Sequence, residues 1–209
     1  MRCTGTESGC LPRTRRIVPM SSLPQYRVSP EEYLRLERAA ETKSEYDDGV
    51  VFAMAGASER HNLIVAGLIR SLGNRLASPC RVYASDLRVR ILNPTRFFYP
   101  DVSVVCAEPR FADDQRDVLL NPGAIFEVLS DRTAAFDRGR KFLSYQTIDS
   151  LQDYVLVSQD DSLVEHYRRD GSHWLYTTAQ GIDASLPLPS LECELPLREI
   201  YYQTAGDQA

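Results

Sequence analysis

Two carboxylates each stand alone in an apolar run. The first run is Phe97-Phe98-Tyr99-Pro100-Asp101-Val102-Ser103-Val104-Val105, and the second is Gly123-Ala124-Ile125-Phe126-Glu127-Val128-Leu129-Ser130. β-Branched and aromatic residues bounded by turn formers read as strands buried on both faces. An ionised carboxylate in such a place is costly unless a cation, a hydrogen-bond donor or a metal compensates it. One acid of this kind is commonly an ion-pair partner. Two in equivalent settings, 26 residues apart, fit neighbouring strands that hold a hard divalent cation, Mg2+ or Mn2+. Pro100 has no N–H to donate, so the strand is interrupted or bulged beside Asp101, where a side chain can be re-aimed.

The elements that must position these acids are marked along the chain. Ser29-Pro30-Glu31-Glu32 opens a helix with a capping residue, proline in the first turn and an acid three residues after the cap. Asp48-Gly49 turns into a strand, Val50 to Met54. Ser58 caps a longer helix whose Ile64, Leu68, Leu72 and Leu76 form a core-facing stripe, closed by Pro79. Strands are expected near 81–84 and 87–92. A polar stretch from Glu108 to Asn121 is long for a structureless connection and fits a lid or a substrate contact. Phe136 to Ile148 reads as a helix, followed by the strand Tyr154 to Val157. Asp170-Gly171 then makes a hairpin, in which Trp174 and the tyrosines serve packing. Helices flank strands without strict alternation, which predicts an α/β fold with a mixed sheet, helices on both faces and an added antiparallel hairpin section.

The order and spacing of several fragments resemble a known family. They are Ser44-Glu45-Tyr46-Asp47-Asp48-Gly49, Ala57-Ser58 with His61-Asn62, Ser85-Asp86-Leu87-Arg88-Val89 and Tyr99-Pro100-Asp101-Val102. Downstream come Glu127-Val128-Leu129-Ser130, Asp137 with Lys141 and Tyr145, and Asp153-Tyr154-Val155-Leu156-Val157. From about Val28 to about Tyr201 the chain resembles the Uma2-like family of the PD-(D/E)XK restriction-endonuclease-like superfamily. The resemblance implies a restriction-endonuclease-like fold and a metal-dependent endonuclease acting on nucleic acid, DNA by preference, as a homodimer. It assigns Asp101 and Glu127 as metal ligands, with the carbonyl of Val128 as a third. Glu45 corresponds to an auxiliary acid that otherwise reads as a surface residue. His61 is a phosphate contact or proton shuttle, or else a helical histidine with no such role. The superfamily lysine two residues after the second acid is replaced by Leu129. Lys141, 14 residues after Glu127, takes over the role of positioning water or phosphate; without the resemblance, Asp137 and Lys141 read as an exposed i,i+4 helix pair. The competing reading is a catalytically inactive nuclease-fold module that binds a partner or nucleic acid.

Composition narrows the classes. The 209 residues are 43% apolar and 25% charged, with net charge −5 and pI near 5.3. That balance is ordinary for a globular chain, and no apolar run approaches the roughly 18 residues of a membrane span. The acidic charge argues against a general DNA-coating protein, which needs a basic footprint. Arg81, Arg88, Arg90, Arg96 and Arg110 are the local basic candidates. Five cysteines without a CxxC pair point away from a disulfide scaffold and toward a cytoplasmic location. Residues 1–24, rich in Gly, Ser, Thr, Pro and Arg, read as a disordered tail, and residues 25–209 as a single nuclease-like domain.

Overall fold

The structure, a computed structural model, describes residues 27–204; the expected tail and the last five residues lie outside the described residues. Helix α1 (Pro30–Glu37) starts as its sequence dictates, with Ser29 Oγ accepting from the Glu32 N–H at 3.2 Å. Strands β1 (Ser44–Asp47) and β2 (Val50–Ala53) form a hairpin through Asp48 and Gly49, at φ 46° and 96°. A two-residue turn with both residues at positive φ matches the right-handed twist of its strands. Helix α2 (Glu59–Arg75) is capped by Ser58 and buries Ile64, Leu68 and Leu72 completely.

Strands β3 (Arg81–Ala84), β4 (Arg88–Ile91), β5 (Arg96–Phe98), β6 (Val102–Val105), β7 (Val118–Leu119) and β8 (Ala124–Val128) follow. A continuous helical segment runs through α3 (Ala134–Phe136), a π turn (Asp137–Lys141) and α4 (Phe142–Tyr145). Strands β9 (Asp153–Val157), β10 (Leu163–Asp170) and β11 (His173–Gln180) come next. A small ribbon of β12 (Ser185–Leu188) and β13 (Cys193–Pro196) precedes α5 (Leu197–Ile200).

The strands assemble into a six-stranded sheet, β11-β10-β9-β8-β6-β3, and a five-stranded sheet, β2-β1-β5-β4-β7. Both are mixed, through the parallel pairs β8–β9 and β4–β7. One face of the larger sheet packs on α2, the β12–β13 ribbon and α5. Its other face meets the 134–145 helical segment and side chains of the smaller sheet, among them Val89, Ile91 and Phe98. The expected mixed-sheet fold with helices on both faces is present, with β10–β11 as the added hairpin.

The run Phe97 to Val105 is not one strand. Phe97 and Phe98 belong to β5 in one sheet, Val102 to Val105 to β6 in the other, and Tyr99-Pro100-Asp101 carries the chain between them. Proline's missing donor ends the first ladder, and Asp101 arrives at the lip of the second. The stretch 108–121 is not structureless: it contains β7, closes on itself through the Arg110 N–H to Asn121 Oδ1 bond (2.7 Å), and ties Asp113 and Asp117 to Arg38. The arginines expected as a basic face are largely spent inside the fold. Arg88 pairs with Asp117, Arg96 with Asp47 at 2.7 Å, and Arg90 lies over the Phe97 ring. Cys80 and Cys106 form a disulfide, which the cysteine count did not foretell. They flank β3 and β6, whose register (Arg81 opposite Val105) brings them face to face. Trp174 and Tyr167 do serve packing, gathered with Tyr154 around Phe142, whereas Tyr176 is exposed.

The fold requires one close helix approach. A Cβ on Gly67 would lie 2.2 Å from the Ile200 carbonyl oxygen, whereas one on Gly73, on the same helix, would meet nothing. Gly67→Ala is expected to cost about 1–3 kcal/mol through overpacking, and Gly73→Ala to stabilise by about 0.5–1 kcal/mol through lost unfolded-state entropy. Thermal melts of the two variants would contradict this close contact if they moved in the same direction.

Candidate active site

The register of β6 on β8 pairs Val102 with Phe126, and continuing it sets Asp101 opposite Glu127. Asp101, one residue ahead of β6, therefore faces Glu127 of the adjoining β8, close to what their spacing predicted. Asp101 is held from both sides. Its Oδ2 accepts from the Val128 backbone N–H at 2.7 Å, and its Oδ1 lies 3.0 Å from His61 Nε2. His61 reaches it from the first turn of α2, whose start Ser58 fixes.

Glu127 and Ile125 share one face of β8, the face that meets the 134–145 helical segment. Lys141 comes from that segment, and its Nζ lies 2.8 Å from Glu127 Oε1, 3.5 Å from Glu45 Oε1 and 3.7 Å from Asp137 Oδ1. Both Asp137 and Lys141 are buried, so the exposed helix pair is not what forms. They are the first and last residues of a π turn, a distortion that recurs at functional sites. Glu45 is not a surface residue. It lies within β1 and accepts from the Tyr99 N–H at 3.1 Å.

Two side chains to which the sequence assigned no role complete the cluster. Tyr145 Oη donates to Glu127 Oε1 at 3.2 Å, four residues beyond Lys141 on the same helical face. Glu37, at the end of α1, accepts from the Ser44 N–H at 2.8 Å and from Tyr99 Oη at 2.9 Å. It thereby braces both the strand that carries Glu45 and the turn that carries Asp101. The i,i+4 spacing of Lys141 and Tyr145 was a usable signal; nothing local in sequence marks Glu37.

Charge decides what this arrangement can do. Burying an ion costs several kcal/mol even after relaxation. At 2.8 Å and an effective dielectric near 20, one ion pair returns roughly 6 kcal/mol. Lys141 has three carboxylates in reach, so although burial alone would lower its pKa, Glu127, Glu45 and Asp137 together hold the ammonium well above its ordinary range. The acids fare worse, since Glu45, Asp101, Glu127 and Asp137 outnumber that single ammonium. Burial, with Asp137 and Asp101 nearby, pushes the Glu127 carboxyl well above the usual carboxylate range against the pull of Lys141. Burial also raises Asp137, which Lys141 and a hydrogen bond from Thr133 partly offset. The Tyr145 phenol is driven up by burial and by Glu127, so it stays a donor.

The cluster opens into a cleft of about 1060 Å³ lined by Lys43, Met54, His61, Asn62, Tyr99 and Arg132 in addition to the acids. Among the described residues no three His, Cys, Asp or Glu side chains form a ready metal cage. Asp101 and Glu127 are the carboxylates a cation would meet there, and Val128 lines the same cleft. That suits Mg2+, which keeps several waters and takes one or two protein carboxylates.

The family model described as "putative restriction endonuclease", Uma2, matches residues 30–198. The chain belongs to the Uma2 family. Two proteins of Synechocystis sp. (strain ATCC 27184 / PCC 6803 / Kazusa) are similar to this Uma2 chain. The uncharacterized protein sll1609 is 40% identical over 161 residues, covering 76% of this chain and 91% of that one. The uncharacterized protein slr1290 is 37% identical over 182 residues, covering 86% and 94%. A crystal structure of a "putative nuclease belonging to DUF820" from Anabaena variabilis ATCC 29413 shares the fold, with a TM-score of 0.65 at 21% identity, covering 82% of this chain and 96% of that one. In this Uma2 protein Leu129 is buried in the aromatic core beside Phe142 and Tyr145. The cation beside the second acid comes from the following helix instead.

Lys141→Met removes the cation and keeps the apolar stem. Leaving Glu127 buried without its partner is expected to cost about 3–5 kcal/mol at neutral pH. With the ammonium gone, the folded-state pKa of Glu127 lies still further above its unfolded value. The folded variant then binds the extra proton, and stability returns as pH falls through that raised value toward the unfolded one. Melting curves from pH 8 to pH 5 should show the gap to wild type narrowing; a gap independent of pH would contradict the pairing.

Proposed function

We propose that this Uma2 protein is a metal-dependent endonuclease that hydrolyses phosphodiester bonds, in DNA by preference, with Mg2+ or Mn2+ held by Asp101, Glu127 and the Val128 carbonyl. The observation that carries the reading is the pairing of two acids on adjoining strands with a buried ammonium 2.8 Å from one of them. A bound divalent cation would supply charge stabilisation and a nucleophilic water at neutral pH.

The chain's own residues do the rest. Lys141, fixed by Glu127, Glu45 and Asp137, presents a positive charge that cannot swing away, suited to orienting water or a phosphoryl oxygen. Tyr145 and the Val128 N–H lock the carboxylates in orientation, as outer-shell partners of metal ligands do. His61, with a side chain 16% exposed and bonded to Asp101, stands where a proton can be exchanged with solvent. The presence of an ammonium beside Glu127 supports an active site over an inert nuclease-fold module, because Leu129 alone would have left the acid uncompensated.

Calorimetry with Mn2+ tests the assignment. Wild type is expected to bind, with affinity falling at least tenfold in Asp101→Ala and in Glu127→Ala. DNA, offered both as plasmid and as single strand, should be cut only by the wild type. Because the metal takes the ionised form of Glu127 and burial raises that carboxyl, binding at a pH below the raised value releases a proton. Affinity should therefore rise with pH through the raised value and then level off. Equal affinity in all three proteins, or affinity that falls with rising pH, would refute the ligand set.

A further inference from the structure

The β1–β2 hairpin sets Glu45 directly opposite Phe52, so the two side chains leave the hairpin on the same face. Glu45 points into the acidic cluster, yet Phe52 is 50% exposed. Met54, two residues on, is also exposed and lines the cleft. Its N–H donates to the Lys43 carbonyl at 3.0 Å, which places Lys43 at the same rim. Lys43 Nζ donates to the Ser85 carbonyl at 3.1 Å and pairs at 2.8 Å with Asp86, whose side chain is 90% exposed. A solvated pair of that kind contributes little, so the ammonium can exchange Asp86 for a phosphate. Met54 and Lys43 thus line the cleft, and Phe52 stands just outside that lining, one strand over from Glu45.

We propose that Phe52 is a base-stacking platform, and that the cleft takes an unpaired nucleic-acid strand with Lys43 on its backbone. The proposal rests on the nuclease reading and names its substrate class. Single exposed apolar residues are common on protein surfaces; what distinguishes Phe52 is its place across the strand from an acid of the site. In a duplex the base faces are stacked on one another and closed to a protein side chain. In an unpaired strand every base offers a π face, and aromatic platforms with a few cations are how such strands are held. The charge distribution agrees. A duplex needs an extended basic surface, but Arg38, Arg75, Arg88, Arg96 and Arg138 are paired with carboxylates of this same chain.

Fluorescence anisotropy with labelled oligo(dT), alone or annealed to oligo(dA), tests this, with Ca2+ present to offset the carboxylates. The wild type should bind the single strand more tightly than the duplex. Phe52→Ala and Phe52→Leu should weaken single-strand binding about tenfold, the loss of one stacked base. Phe52→Trp should restore it, and duplex binding should change little. Phe52 is half exposed, so these variants are expected to fold. Single-strand binding unchanged in Phe52→Ala, tighter binding of duplex, or a fall in molar mass by light scattering in Phe52→Ala would each overturn the proposal, the last by making Phe52 a contact between two copies of the chain. Cleavage in Mn2+ is scored separately. A protein that cuts but ignores Phe52 refutes the platform, whereas one that stacks oligo(dT) through Phe52 and never cuts bears out the platform and refutes the nuclease reading.

Discussion

Everything around the candidate site is arranged to keep one ammonium among more carboxylates than it can neutralise. Lys141 is buried with Glu127, Glu45 and Asp137 in reach, and Asp101 stands across the strand. A buried Asp–His pair elsewhere in the chain gives the contrast. Asp153 is fully buried, but one of its oxygens meets His166 Nε2 at 2.7 Å and the other meets Ser190, beneath the short helix Pro189–Leu191. There, each acceptor has a partner and no acid is left over, as a structural tie requires. At the candidate site acids are in excess, and a folded protein tolerates such excess where a ligand is to be bound.

That constraint explains the less regular parts of the architecture. The chain must deliver acids from two sheets to one place. Tyr99-Pro100-Asp101 does so by leaving β5 and entering β6 within three residues, with the Tyr99 N–H steadying Glu45 on the way. Glu37 fixes both sides of that crossing through Tyr99 and Ser44. The π turn performs the matching task on the helix, and Tyr154 Oη caps it by donating to the Asp137 carbonyl at 3.0 Å. The helix caps, the hairpin turn and the wide apolar stripe of α2 supply ordinary scaffolding for these few unusual placements.

Asp101 and Glu127 were legible because an acid inside a β-branched run has few structural excuses. Lys141 was legible only through resemblance; its burial depends on which way a helix faces, and the i,i+4 pattern with Asp137 fits a surface pair equally well. The division of the Phe97–Val105 run between two sheets was half visible in Pro100, since proline announces an interruption without saying where the chain goes next. Glu37, the Cys80–Cys106 bond and the internal pairing of Arg88 and Arg96 could not be read in advance. Each depends on strand register or on contacts between elements distant in sequence.

The central claim is that the excess of carboxylates is the seat of a divalent cation, with Lys141 as its neighbour and not its substitute. Anomalous diffraction from crystals soaked in Mn2+ tests it most directly. The account predicts one dominant peak about 2.1 Å from carboxylate oxygens of both Asp101 and Glu127, with Lys141 still bonded to Glu127. A strong peak elsewhere with none between these two acids, or a peak formed only after Lys141 has left the cluster, would contradict it.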